Sequence, residues 1–359
     1  NFRVEGSVAE INALAQGIAK LNEDIAAGLA RTGGQPPNDL LDQRDNLLDQ
    51  LSEKVAVNAV AQGDGTVNVF IGKGQALILG RVPSELTTVQ DSFDPTRLGI
   101  AMSTSGGTVD ITRNISGGAL GGLLDFRREQ LDPAHNALGR ISVALVDLVN
   151  SQHQQGMDLS GELGGEFFAI GGVETLESAL NNGSGTVSVE RADVGGLTQR
   201  DYVMEMTGSG WQLRYADSGQ TVAMTGSGTA ADPFVADGME IEVGGAAQVG
   251  DEFLIRPTRG ALADLEVLID DPSKVAAAAP LTTGTGVDNV GTGAISAGEV
   301  TNPATFDIST PVEIEFTSAN TYSINGGPDV TFVPGNPIDI AGPGWSVQIT
   351  GEPSVGDTF

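Results

Sequence analysis

The sequence contains no cysteine and only two histidines, His135 and His153. The absence of cysteine excludes disulfides, thiolate metal sites and cysteine nucleophiles. On one helix, the two histidines would share a face but lie about 27 Å apart, at about 1.5 Å per residue. They therefore cannot bind one metal ion together, and the i, i+4 histidine pair of zinc proteases is absent. We expect neither histidine to have a catalytic or metal-binding role.

Basic residues are also scarce, with 18 Lys and Arg against 47 Asp and Glu, a formal charge of −29 and a pI near 4.1. Such a surface repels phosphate backbones and anionic membranes, so we expect neither nucleic acid nor a membrane as a partner. No apolar run is long enough to span a bilayer, and no signal-peptide pattern opens the chain. The chain begins at Asn1 without methionine, and we interpret it as a piece of a longer protein.

The first part of the chain has the seven-residue apolar repeat of paired helices. Residues 4–29 are predicted to form one helix, ended by the breakers in 31–37, and residues 38–55 a second helix, with Asn38 as its N-cap. The short connection predicts an antiparallel pair. A third helical region, 117–155, carries a similar repeat. Eight apolar residues on these repeats are candidates for the subunit core or for contacts with a neighbouring subunit: Ile11, Ile18, Ile25, Leu41, Leu48, Leu131, Leu138 and Leu145.

Between and after the helices, the apolar period becomes two, as in β-strands. Residues 55–72 alternate about a Gly-Asp-Gly turn and predict a hairpin. The predicted fold class is therefore α+β and multidomain: long antiparallel helices that carry heptads, with β-hairpins, followed by two β-rich domains. Three domains are predicted: a helical bundle over 1–168 with a β-hairpin insertion at 55–112, a first β-rich domain over 169–282 with a linker at 259–282, and a second over 283–359.

The two β-rich domains resemble copies of one another. "VMEMTGSGWQL" (203–213) parallels "VEIEFTSANTYSI" (312–324), and "GMEIEVGGAAQVGDEF" (238–253) parallels "GWSVQITGEPSVGDTF" (344–359). The first copy continues into "LIRPT", whereas the second stops at Phe359. We therefore expect the second β-rich domain to be truncated at its C-terminus.

None of the remaining motifs supports a catalytic, cofactor or metal site. "GDG" (63–65) and "DDP" (270–272) lack the ligand spacing of an EF-hand, and turn chemistry explains both. "GGALGG" (117–122) lacks the Lys-Ser/Thr of a phosphate loop and is interpreted as a hinge at a helix start. No Gly-x-Ser-x-Gly elbow precedes a helix. We predict that the chain is not an enzyme and has no cofactor.

Three long runs resemble the flagellar hook-associated protein 1 family, the hook–filament junction proteins of bacterial flagella. They are "NDLLDQRDNLLDQLSEKVAVNAV" (38–60), "ISGGALGGLLDFRREQLDPAHNALGRISVALVDLVNSQHQQGMDLSG" (115–161) and "TRGALADLEVLIDDPSKVAAAAP" (258–280). The resemblance covers residues 1–282 and is weaker over 283–359. It implies a structural protein without the terminal axial helices of that family.

The resemblance also implies partners and a location. The expected partners are other copies of the protein in a ring, the hook protein, the second junction protein and an export chaperone. The expected location is the extracellular hook–filament junction, after export through the flagellar type III apparatus without a cleaved signal peptide. We expect this chain alone to be a monomer.

Two other interpretations stay open at this point. One is another flagellar axial protein: the second junction protein, a hook protein or a flagellin. The other is a surface adhesin, with β repeats on a helical stalk and binding loops within 170–359. A hydrolase with a cryptic site would require acidic residues paired in a cleft, which the sequence alone does not reveal.

Overall fold

The computed structural model describes residues 1–31, 35, 37–104, 106–340 and 342–359. The two predicted N-terminal helices are α1 (Phe2–Arg31) and α2 (Asn38–Lys54). Of the breakers expected at 31–37, Thr32, Gly33, Gly34 and Pro36 lie outside the described residues. The prediction that Asn38 is the N-cap is wrong: Asn38 is the first helical residue, Pro37 precedes it, and no side chain caps the helix.

The two helices are antiparallel, as predicted. Lys54, at the end of α2, pairs with Glu10 near the start of α1 at 2.5 Å, while the backbone of Gly17 faces Leu47 in the middle of α2. Two polar groups inside the pair are buried. Asn22 donates to and accepts from the backbone of Val67, and Arg44 donates to the Gly65 carbonyl. These hydrogen bonds satisfy the Asn22 amide and one terminal nitrogen of Arg44, whereas the buried Arg44 Nε has no acceptor among the described residues.

The predicted hairpin insertion forms two antiparallel sheets. The first has the strand order β1-β2-β3-β4 and the second β5-β6-β7. Apolar residues from these strands join α1, α2 and the next helix in one core, which includes Ile11, Ile71 and Leu120. The strands are β1 (Val57–Ala61), β2 (Val67–Ile71), β3 (Gln75–Leu79), β4 (Val82–Pro83), β5 (Leu86–Gln90), β6 (Leu98–Thr104) and β7 (Gly107–Asp110).

The third helical region is one run with an irregular turn inside it. Helix α3 (Gly118–Phe126) passes into a π-helical turn (Arg127–Leu131) and then into α4 (Asp132–Gln154). The Asp132 N–H donates to the Arg127 carbonyl, five residues back. Pro133 follows directly and has no N–H to donate, so the irregular turn lies where an ordinary helical hydrogen bond is already missing.

The first β-rich segment has a five-stranded antiparallel sheet in the order β13-β12-β11-β16-β9 and a three-stranded sheet in the order β10-β15-β14. Its strands are β9 (Glu174–Glu177), β10 (Thr186–Arg191), β11 (Tyr202–Thr207), β12 (Gly210–Tyr215), β13 (Thr221–Val222), β14 (Phe234–Ala236), β15 (Met239–Gly244) and β16 (Glu252–Arg256). Two short strands flank it and pair with each other: β8 (Phe168–Ala169) and β17 (Glu266–Val267).

The second β-rich segment has a four-stranded sheet, in which β24 pairs with β18, β19 and β23, and a three-stranded sheet in the order β20-β21-β22. Its core contains Phe316, Tyr322 and Ile349. The strands are β18 (Ala294–Ile295), β19 (Glu299–Val300), β20 (Ile314–Ser318), β21 (Thr321–Ile324), β22 (Val330–Thr331), β23 (Pro337–Ile340) and β24 (Trp345–Thr350).

The similarity between the two β-rich segments extends to individual hydrogen bonds. Asn181 exchanges two hydrogen bonds with the backbone of Glu252, at 2.9 and 2.8 Å. Asn289 exchanges the same two with the backbone of Thr358, both at 2.8 Å. In each segment this asparagine joins a loop to the strand that closes the motif.

A second shared feature is a glycine in a turn whose carbonyl accepts hydrogen bonds from two backbone N–H groups. Gly238 (φ 77°) accepts from Ala192 and Asp193, and Gly344 (φ 72°) accepts from Thr301 and Asn302. Asp193 and Asn302 each cap a 3-10 turn. The copies expected from the sequence therefore have the same local structure.

The chain divides into two compact units, residues 1–140 with 173–259 and residues 141–172 with 260–359. These units group the segments differently from the three predicted domains, whose boundaries stay a prediction. The predicted fold class is confirmed, with a helical region at the N-terminus followed by β-rich segments.

Candidate assembly interface

The apolar repeat of the first two helices faces the core. Ile11, Ile18 and Ile25 on α1 are fully buried. On α2, Leu48 packs against the same core and is half-buried, as is Leu41. These five candidate residues lie within or at the edge of the subunit's own packing.

The third row of candidates lies on the surface. Leu131 is 40% exposed, and Leu138 and Leu145 are each 53% exposed. Ile141 and Leu148 extend the row and are 65% and 68% exposed. We call these five residues the α4 apolar row. In this chain they do not form core, so their contact with another helix stays a prediction.

The opposite face of α4 is buried, although it is partly polar. Its buried residues include Asn136, Val143, Val146 and His153. Asn150 on this face accepts from the N–H groups of Phe167 and Phe168 and donates to the Phe168 carbonyl, all at 2.9 Å. This helix therefore buries hydrogen-bonded amides and valines, while its larger aliphatic side chains face outward.

The π-helical turn explains why the larger aliphatic side chains of α4 face outward and its amides face inward. In an uninterrupted helix, Leu131 and Leu138 would continue the face of the buried Leu124, because seven residues make nearly two turns. A π turn contains one extra residue, which rotates the following side chains by about 100°. The positions that continue the face of Leu124 become Asp132 and Gly139, and Gly139 is buried.

The two histidines have different environments. His135 is exposed. His153 is buried, and its Nε2 accepts from the Ala276 N–H at 2.9 Å while its Nδ1 donates to the Gly165 carbonyl at 2.8 Å. This ring joins the end of α4 to two loops. Within the described ranges, no group of three His, Asp or Glu residues is placed to hold a metal ion.

A charged network in the first unit was not anticipated from the sequence. Arg97 forms a bidentate pair with Asp132 at 2.7 and 2.8 Å. Arg259 reaches the same carboxylate at 3.1 Å and also pairs with Asp201. Arg256, which is 5% exposed, pairs with Asp94 at 3.0 Å and with Glu174 at 3.3 Å. The available signal was the two arginines in "FLIRPTR", directly after apolar strand residues.

Burial and pairing oppose each other in this network. Burial raises the pKa of Asp201, and it lowers the pKa of Arg259, despite their ion pair. For Asp132 and Asp94, burial also acts to raise the pKa, but hydrogen bonds and nearby arginines outweigh it and leave both pKa values lowered. Removing one member would leave a buried charge without its partner, which is strongly destabilising.

No helix among the described residues is long and apolar enough to cross a membrane. The α4 apolar row is a run of exposed apolar side chains on one helix, and large exposed apolar patches on proteins mark interaction sites.

Two family models match the chain. The model of the flagellar hook-associated protein FlgK helical domain matches residues 1–168, and that of the flagellar hook-associated protein 1 D2-like domain matches residues 176–257. These matches cover the helical region and the first β-rich segment.

Individual proteins agree with the family models. Flagellar hook-associated protein 1 of Escherichia coli (strain K12) is 33% identical over 280 residues, which are 77% of this chain and 51% of that protein. The protein of the same name from Salmonella typhimurium is 35% identical over 283 residues, 77% of this chain and 50% of that protein. The chain thus spans about half the length of these relatives.

A solved structure extends the similarity to the remaining residues. The structure of the flagellar hook junction protein FlgK from Burkholderia pseudomallei matches with a TM-score of 0.83 and 30% identity, over 100% of this chain and 71% of that chain. The likeness includes the second β-rich segment. By its helical region, both β-rich segments and these matches, the chain belongs to the family of the flagellar hook-associated protein FlgK.

Proposed function

We propose that this chain is part of a structural subunit that joins the hook of the bacterial flagellum to its filament, as one member of a ring of subunits. The observation that carries this proposal is the likeness along the whole chain to a solved flagellar hook junction protein. The same likeness favours the junction protein over another axial protein or a surface adhesin. We propose no catalytic role and no cofactor.

The proposed partners follow from the same place in the flagellum. They are other copies of the protein, the hook protein, the second junction protein and an export chaperone. The proposed location is extracellular, after export without cleavage of a signal peptide. The strongly acidic composition is compatible with a soluble exported subunit, because net charge favours solubility.

The α4 apolar row supports an assembly role. We propose that it packs against helical segments in the part of the longer relatives that this chain does not span. The row Leu138, Ile141, Leu145 and Leu148 has the alternating spacing of three and four residues by which one helix packs along another. The buried Ile11, Ile18 and Ile25 are proposed as core within the subunit.

This arrangement implies that the chain alone is a monomer, because the proposed occupant of the row is not a second copy. Sedimentation velocity over a range of concentrations tests this point. A single species at the monomer mass of 36.8 kDa is expected. A stable ring or a concentration-dependent dimer that disappears in Leu145→Lys would instead assign the row to contacts between copies.

We propose three domains, 1–168, 169–282 and 283–359. The range of one family model equals the first domain, and that of the other, 176–257, lies within the second. Limited proteolysis tests the boundaries. Early cleavage near 169 and 282 is expected, and early cleavage within 1–168 would contradict the first domain.

The experiment that tests the function is immunogold electron microscopy of intact source cells, with antibody raised against this chain. Gold confined to a band where the hook meets the filament is the expected result. Gold along the filament would point to a flagellin-like subunit. Gold scattered over the cell body would contradict the flagellar role and favour an adhesin.

A further inference from the structure

The first unit contains a cavity whose charge is opposite to that of the whole chain. Its volume is about 400 Å³. Eight of the chain's 18 lysine and arginine residues line it, together with four of its 47 acidic residues. In a chain with a net charge of −29, this concentration of cations in one concave site is unexpected on composition alone.

Five of the lining cations are engaged by the protein's own groups. Arg97, Arg256 and Arg259 belong to the network with Asp94, Asp132 and Asp201. At the edge, Arg128 pairs with Asp125 and Glu129, and Arg200 pairs with Asp217 and lies over the Tyr215 ring. These pairs account for most of the acidic side chains around the cavity.

Three lining cations have no such partner. Within the part of the chain that the structure describes, Lys73, Arg113 and Arg127 have no carboxylate within ion-pair distance. Arg127 is half-buried, donates to the Leu98 carbonyl, and has its pKa lowered by burial and by repulsion from Arg97. The protein thus keeps a partly desolvated guanidinium without a paired counter-charge.

The three cations are held close together by the backbone. The Lys73 N–H donates to the Asn114 carbonyl at 2.8 Å, which brings Lys73 beside Arg113. Arg127 donates to the Leu98 carbonyl of strand β6. Two residues along that strand, the Ile100 N–H donates to the Thr112 hydroxyl at 2.8 Å, and Thr112 directly precedes Arg113. These hydrogen bonds connect the segments that carry all three lining cations.

A buried donor in the cavity wall is also unsatisfied. Arg256 lines the cavity and is only 5% exposed, yet its Nε–H has no hydrogen-bond acceptor among the described residues. Buried donors without partners are rare and costly, and each one requires an explanation such as an ion. A bound anion in the cavity would supply the missing negative charge beside these guanidinium groups.

We propose that this cavity is a binding site for a small multivalent oxyanion, of the phosphate or polycarboxylate type. The ligand class follows from the donors, because guanidinium groups present forked N–H donors that match the oxygens of phosphate and carboxylate. The size fits as well, since the cavity has the volume of small-molecule sites, about 300–1,000 Å³. Lys73, Arg113 and Arg127 would bind the anion at the rim, and Arg256 would lie in the wall.

Isothermal titration calorimetry with inorganic pyrophosphate and with citrate tests the site at about 0.15 M salt, where exposed charges beyond about 8 Å are screened. Saturable binding of at least one probe is expected. The double variant Lys73→Gln, Arg113→Gln should weaken it by about tenfold for each cation removed, or about 1.4 kcal/mol each. Both residues are exposed, so the fold should be unaffected.

The matched control is the double variant Arg3→Gln, Arg81→Gln, which removes the same charge from exposed positions outside the cavity. Its affinity should stay within about twofold of the parent chain. Saturable binding that is abolished or weakened only in the cavity variant supports the site. Absence of saturable heat with both probes, or equal weakening in both double variants, would overturn it. A thermal unfolding curve for each variant confirms that the comparison is between folded proteins.

Discussion

Asp251 and Asp357 accept the same backbone hydrogen bonds in the two β-rich segments. The Asp251 carboxylate accepts from the N–H groups of Asn182, Gly183 and Gln248, and the Asp357 carboxylate accepts from those of Val290, Gly291 and Ser354. Each aspartate is 1% exposed and follows a glycine of positive φ in the sequence Val-Gly-Asp. One carboxylate in each segment therefore joins a loop to the turn before the closing strand.

Replacement of Asp357 should destabilise the second β-rich segment in proportion to the acceptors removed. Asp357→Ala leaves three N–H groups without an acceptor, whereas Asp357→Asn keeps one oxygen for the Val290 N–H. We expect the midpoint of thermal unfolding to fall in the order parent, Asn variant, Ala variant. The exposed Asp329→Asn is the control and should match the parent. Equal midpoints for all four proteins would refute this role.

Asp158 should make the free energy of unfolding depend on pH in the acidic range. Hydrogen bonds from Lys274 and from the N–H groups of Glu162 and Ser160 lower the pKa of Asp158 to about 2. An unfolded aspartate has a pKa of about 3.9. The stabilisation is therefore complete above about pH 4 and disappears as the pH falls towards about 2.

The measurement for Asp158 is urea unfolding of the parent and of Asp158→Asn across that range. The difference between their midpoints should be constant near neutral pH and should shrink as the solution is acidified below about pH 4. Asp288→Asn, at an exposed position, should show no such difference. A gap that stays the same at every pH would mean that the charge of Asp158 does not stabilise the fold.

The buried and the exposed residues of the apolar repeats should respond differently to truncation of their side chains. Ile18 is fully buried, so Ile18→Ala should cost about 2–5 kcal/mol of unfolding free energy, because it removes buried apolar surface and leaves a cavity. Leu145 is 53% exposed, so Leu145→Ala should change it by no more than about 0.5 kcal/mol. Urea unfolding followed by far-ultraviolet circular dichroism provides both values. A large destabilisation by Leu145→Ala would show that the α4 apolar row is already packed in this chain.

Two glycines of the "GGALGG" run should have opposite effects. Gly118 has a φ of 57°, and a Cβ there would lie 2.3 Å from the backbone of Lys54 and Val55. Gly118→Ala should therefore be strongly destabilising. Gly122 lies inside α3 with open space around it, so Gly122→Ala should stabilise the helix by about 0.5–1 kcal/mol. The midpoints of thermal unfolding of both variants test these two effects. A stabilising Gly118→Ala would contradict the close approach of Gly118 to the backbone of Lys54 and Val55.

The sequence was most informative where structure depends on neighbouring residues. The repeat Ile11, Ile18, Ile25 predicts α1 because a regular helix returns to the same face at that spacing. The turn at Asp64 predicts the first hairpin for a similar local reason. The β-rich copies were recognisable because the same Val-Gly-Asp turn and flanking strands recur in order.

Structure that depends on distant partners was not predictable in this way. Nothing beside Arg256 in the chain identifies Asp94 or Glu174 as its partners, and nothing beside His153 identifies Ala276. The apolar repeat could not decide which side of α4 faces the core, because heptad counting assumes unbroken i to i+4 hydrogen bonds. The π turn lies directly before Pro133, at the start of α4, and the apolar repeat gives no sign of it.

That π turn makes the surface of the subunit depend on the hydrogen bonding of a single turn. Deletion of one residue from 127–131 would remove the extra residue and leave the side chains beyond it in place, whereas an ordinary helix with the full number of residues would turn them by about 100°. Leu138 and Leu145 would then exchange sides with the amides and the imidazole on the inner face. The hydrogen-bonding pattern of one turn, with no alteration of composition or charge on α4 itself, thus decides whether the outer face of α4 presents aliphatic or polar groups.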